Sequence, residues 1–72
     1  MKPFEYNERE FTYSPAYQGW LGYKPGTNVM CVHVAPNGQY RAIQDVKGYA
    51  VEGYGATPQA AIDSLEARTW TT

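Results

Sequence analysis

Seventy-two residues with six basic and seven acidic side chains, a formal net charge of −1, make one small domain with no long-range attraction for a phosphate backbone or an anionic bilayer. A single cysteine, Cys31, excludes an internal disulfide, and no apolar run approaches the roughly 18 residues of a membrane-spanning helix. The compositional bias is aromatic: seven Tyr, two Trp and two Phe make 15% of the chain, against leucine only at Leu21 and Leu65.

In chain order, residues 1–9 are polar apart from Phe4 and Tyr6 and read as a loosely held lead-in. Glu5, Glu8 and Glu10 stand where a signal peptide would be apolar, so a cytoplasmic location is expected. Phe11 and Tyr13 alternate with Thr12 as a short strand that Ser14-Pro15 ends, and a second weak strand over Tyr17 to Tyr23 is interrupted by Gly19 and Gly22. Lys24 to Asn28 is a turn cluster that separates this hairpin-like unit, residues 1–28, from a β-β-β-α core, residues 29–72, within one domain.

Val29 to Val34 is a continuous β-branched and apolar run, as expected of a largely covered strand. Pro36 presets a turn and Asn37-Gly38 accepts the left-handed conformation after it, which predicts a hairpin into Gln39 to Val46. There Tyr40 and Ala42 point one way, Arg41 and Ile43 the other. Lys47-Gly48 reverses the chain again into Tyr49 to Glu52, a strand that fades at Gly53 and Gly55. The helix signal is the clearest: Thr57 is an N-cap, Pro58 the first helical residue, and Pro58, Ala61, Ile62, Leu65 and Thr69 follow at helical spacing. The expected fold is α+β, a small antiparallel sheet of three to five strands with one C-terminal helix packed across one face. Trp70, off the main helical face, is expected to clamp the helix end.

No constellation carries an identifiable chemistry. Cys31 and His33 share a strand face, but one Cys and one His supply neither a metal ligand set nor an activated nucleophile. Asp63 with Glu66, and Glu8 with Glu10, read as solvated charges rather than an acid and base pair. Gly53-Tyr54-Gly55 lacks both the third glycine of a dinucleotide fingerprint and the lysine of a phosphate loop. Neither an enzyme nor a cofactor is expected.

The order of elements from Val29 to Arg68 resembles the core of the HicB-like antitoxin family, a partly open ferredoxin-like or double-stranded-RNA-binding-like sheet whose helix opens with a Gly-x-Thr-x-x-Glu-Ala phrase. Gly55, Thr57 and Ala61 match that phrase, Ala60 replaces the glutamate, and of a Pro-Gly-Cys before the third strand only Gly48 is kept. The resemblance implies a sheet that plugs a small toxin RNase. The DNA-binding segment that follows such sheets has no counterpart up to Thr72, so operator binding is not expected. A double-stranded-RNA-binding domain is the rival reading, but its helix opens with phosphate-gripping lysines where this chain has Pro58-Gln59-Ala60-Ala61.

The expected function is therefore non-enzymatic: a protein-binding module that docks on and blocks another protein, as an antitoxin or a phage-type inhibitor of a host enzyme or defence complex would. The alternatives are a double-stranded-RNA-binding domain or a structural subunit. A homodimer is a further expectation, motivated by the small core and unpaired strand edges. Tyr17, Trp20, Tyr23, Tyr40, Tyr49 and Tyr54 are the contact residues, since Tyr and Trp dominate interface hot spots. For Trp20, packing into the core is the competing assignment. Trp20→Ala separates the two, by lost binding in a folded protein or by unfolding.

Overall fold

Alternation builds the sheet, and glycine decides where other elements press against it. The computed structural model describes the backbone of residues 2–70 and the side chains of residues 2–68. Six strands follow in chain order: β1 (Phe4–Tyr6), β2 (Arg9–Ser14), β3 (Gly19–Tyr23), β4 (Met30–Val34), β5 (Tyr40–Val46) and β6 (Tyr49–Gly55); a single helix, α1 (Pro58–Trp70), closes the order. Each strand pairs antiparallel with its chain neighbour, giving one sheet in the order β1-β2-β3-β4-β5-β6. The α+β class is as expected, but six strands replace three to five. The difference lies in residues 1–28, whose β1, β2 and β3 continue the sheet without a break, β3 pairing β4 through Trp20 opposite Val32. The side chains of Thr69 and Trp70, and with them the expected clamp at the helix end, lie outside the described residues.

Local chemistry accounts for the joints. The Thr57 hydroxyl accepts from Ala60 N–H at 3.1 Å and its carbonyl from Ala61 N–H at 3.1 Å, so the predicted cap is made in full. Gly38 takes φ +87° after Pro36-Asn37, and the Asn37 side-chain oxygen accepts from Gln39 N–H at 3.0 Å. Lys47 and Gly48 both sit at positive φ, 52° and 86°, as a two-residue hairpin turn between Val46 and Tyr49 requires. A β-carbon in that region costs ~1 kcal/mol, which asparagine tolerates best. Lys47→Asn is accordingly expected to stabilise the fold by about 0.5 kcal/mol, read as a rise in the urea midpoint with an unchanged slope.

One sheet face packs on α1. Phe11, Met30, Val32 and Ala42 from the sheet and Ala61, Ile62 and Leu65 from the helix form the core, each at most 1% exposed. The register puts Phe4, Phe11, Gly22, Met30, Gln44 and Val51 in one row across this face, and Tyr13, Trp20, Val32, Ala42 and Gly53 in the next. Three glycines on this face make room for neighbours. A β-carbon on Gly53 would stand 2.5 Å from the Ala61 carbonyl oxygen and 2.7 Å from Leu65 Cα, so the helix backbone rests directly on β6. Gly55 is filled in the same way by Ala60. Gly22 leaves its space to the Phe11 ring and the Arg9 stem.

Helix α1 touches both ends of the sheet. It rests on β6 through Gly53, while the Tyr6 hydroxyl donates to both carboxylate oxygens of Asp63 at 2.9 Å and Asn7 Nδ2 donates to Glu66. Six strands span ~24 Å at their usual spacing, more than the ~10 Å diameter of a helix, so the sheet must curl around α1 to reach it from both sides. Arg9 is enclosed in that curl at 6% exposure, donating to the carbonyls of Gly22 at 3.2 Å and Asn28 at 2.9 Å. Burial lowers its guanidinium from the ordinary value, and the Glu66 carboxylate works against that.

Candidate functional site

Among the described residues no element covers the opposite sheet face, and its side chains fall into three rows fixed by strand register. One row carries Glu5, Glu10 and Tyr23 at the β1 side and Asp45 and Ala50 at the β6 side. The middle row is Thr12, Leu21, Cys31, Ile43 and Glu52, whose centre is an apolar stripe of half-buried Leu21, Cys31 and Ile43. The third is Ser14, Gly19, His33, Arg41 and Tyr54.

The third row is a connected polar ladder. Gly19 has no side chain; a β-carbon there would meet the Val32 carbonyl oxygen first, with the Tyr17 ring 3.0 Å away, and that ring lies edge-on to His33 with ring centroids 5.7 Å apart. Arg41 Nε donates to His33 Nε2 at 2.9 Å, Arg41 lies 3.9 Å from a Glu52 oxygen, and the Tyr54 hydroxyl donates to Glu52 at 3.0 Å. Burial, then the Cys31 thiol beside it, pushes the Tyr17 phenol up from its ordinary value.

An acceptor at Nε2 requires His33 neutral with its proton on Nδ1. Burial first, and the Arg41 cation second, hold its pKa below the ordinary 6.5. The unfolded chain thus takes up a proton before the folded one does. His33 therefore contributes stability that is complete above about pH 6.5 and is lost as pH falls from 6.5 through the lower folded pKa. His33 is the only histidine, so its ring resonances report this directly. Titration by NMR is expected to give a midpoint below 6.5 that moves upward in Arg41→Leu; an unshifted midpoint in the native protein would remove the Arg41 contact from solution.

The six aromatic residues expected to form a contact divide between the two faces. Tyr17, Tyr23 and Tyr54 lie on the open face, 40%, 57% and 39% exposed. Trp20 and Tyr40 lie on the helix face and pack against the core, with ring centroids 6.2 Å apart. Tyr49 shares that side but stands 76% exposed at the last turn, opposite Val46. The apolar stripe of Leu21, Cys31 and Ile43 was not anticipated as a surface. Its signal was the alternation that sends Ile43 and Arg41 away from Ala42, but the alignment of Leu21, Cys31 and Ile43 depends on register between strands.

Among the described residues no three His, Cys, Asp or Glu side chains group as metal ligands, and no helix is long and apolar enough to cross a membrane. Comparison with family models, with curated proteins and with solved structures finds no match for this chain.

Proposed function

We propose that this protein is a non-enzymatic binding module whose open sheet face docks on and blocks another protein, in the manner of an antitoxin or a phage-type inhibitor. The observation that carries the reading is the uncovered apolar stripe Leu21-Cys31-Ile43 between a row of carboxylates and a polar ladder that includes Tyr17 and Tyr54. An apolar centre with a polar rim is the anatomy of a protein interface. At ~24 Å by ~17 Å the face offers ~400 Å² in projection, about half of what one partner buries in a standard complex, so its rims take part as well. The antitoxin form of the reading rests on the HicB-like resemblance of the stretch from Val29 to Arg68.

Electrostatics disfavours RNA on this face. Glu5, Glu10, Asp45 and Glu52 stand there against Arg41 alone, and Arg41 is engaged by Glu52. Affinity capture from native host lysate after nuclease treatment tests the reading. One protein recovered in stoichiometric amount by the wild type and lost with Ile43→Asp is the expected result; recovery of RNA that nuclease abolishes would sink it. A second copy of the chain is the other occupant, favoured by the free edge of β6. A monomer mass by light scattering at high concentration would remove that form.

A further inference from the structure

The carboxylate row beside the apolar stripe specifies the partner's chemistry more narrowly. Glu5 and Glu10 face each other directly across β1 and β2, an arrangement that destabilises a sheet unless a cation lies over it. Among the described residues no lysine or arginine pairs with either carboxylate: Lys24 pairs with Glu8 at 3.3 Å, and Arg41 is turned to His33 and Glu52. Asp45 is exposed, and its carboxylate has no partner among the described residues; its backbone carbonyl accepts from Asn28 Nδ2 at 2.7 Å.

Asp45 also stands at the rim of a shallow hollow whose floor is Val29, Cys31, Ile43 and Ala50. An apolar floor ending at a carboxylate matches one kind of side chain, a long aliphatic stem with a cationic head. Glu10 on β2 and Asp45 on β5 are three strand spacings apart, ~14 Å. An extended chain rises ~3.4 Å per residue, so residues i and i+4 of such a segment span that distance and project from the same side. The residue between them, i+2, then falls near Tyr23.

We infer that the face receives an extended basic segment of a protein partner, with Lys or Arg at i and i+4 and an apolar residue at i+2. One cation seats on the hollow and reaches Asp45, and the other bridges Glu5 and Glu10. This rests on the docking reading above and adds the partner's charge, spacing and conformation.

Panning a random twelve-residue peptide display library against the full protein tests it. Enriched sequences are expected to carry Lys or Arg four positions apart around an apolar residue, and to shift the backbone amide resonances of Glu10, Tyr23 and Asp45. Their affinity is expected to fall at least tenfold in Asp45→Lys and in Glu10→Lys, both exposed positions whose far-UV spectra should stay native, and to weaken as salt is raised. Enriched peptides without basic residues, lost with Ile43→Asp but not with Asp45→Lys, would overturn the basic segment and leave the docking face standing. Peptides indifferent to all three substitutions, or no enrichment at all, would overturn both.

Discussion

Gly53→Ala is expected to leave the chain largely unfolded at 25 °C. The new methyl group would meet the Ala61 carbonyl oxygen at 2.5 Å and Leu65 Cα at 2.7 Å, both backbone atoms of α1, and no rotamer change relieves a backbone contact. The helix has to lift from β6, and that uncovers Ala61, Ile62 and Leu65 together with Met30 and Val32 beneath them. Overpacking a core costs ~1–3 kcal/mol even where side chains can yield. A 72-residue domain has only ~4–11 kcal/mol in total, at ~0.05–0.15 kcal/mol per residue. Loss of the cooperative thermal transition is the measurement. A melting curve within a few degrees of the native one would mean that α1 does not lie on β6.

Trp20→Ala is the second large effect, and it falls on the fold before it reaches any partner. The indole makes edge contacts with Phe4 at 6.0 Å and Tyr13 at 5.4 Å and a tilted one with Tyr40 at 6.2 Å, so three strands lose a shared neighbour at once. The ring is half-buried, which places the cost near the lower end of the ~3–5 kcal/mol typical of removing a large aromatic side chain. The indole N–H is enclosed and donates to no acceptor among the described residues, so Trp20→Phe is expected to be much milder than Trp20→Ala. Chemical denaturation of the two variants side by side checks the order. If instead Trp20→Ala melts like the native protein and loses its partner, the indole is a contact residue and the docking surface extends to the helix face.

What could be read ahead of the structure was whatever is decided within a few residues. Thr57-Pro58, Pro36-Asn37-Gly38 and Lys47-Gly48 each carry their own geometric cause, and Ala61, Ile62 and Leu65 follow from spacing alone. The lead-in was illegible because three residues, Phe4 to Tyr6, become a strand only through β2 and through Asp63, fifty-seven positions from Tyr6. Gly19 and Gly22 resembled strand breakers in the sequence. They are instead places where neighbours need the room, the Phe11 ring at Gly22 and the Val32 carbonyl with the Tyr17 ring at Gly19, which no local pattern announces. The candidate face divides in the same way. That Arg41 and Ile43 oppose Tyr40 and Ala42 follows from alternation, whereas the meeting of Asp45 with Val29 and Ala50, or of Glu5 with Glu10, depends on register between strands.

Because every strand pairs with its neighbour in the chain, nearly all of the sheet forms by closing short loops, and α1 follows β6 directly. Such a chain is built for fast folding by successive hairpin additions. The contacts of Tyr6 with Asp63 and of Asn7 with Glu66 span the largest sequence separations of the side-chain hydrogen bonds among the described residues, joining the first strand and the turn after it to the last element. They close the largest loop for the fewest bonds, so they assemble last and open first. In hydrogen exchange β1 then opens at a cost well below global unfolding while β4 and β5 hold their amides to the end. Glu5 lies on that loosely held strand, and a ligand that bridges it to Glu10 would slow exchange in β1 before it altered any other part of the molecule.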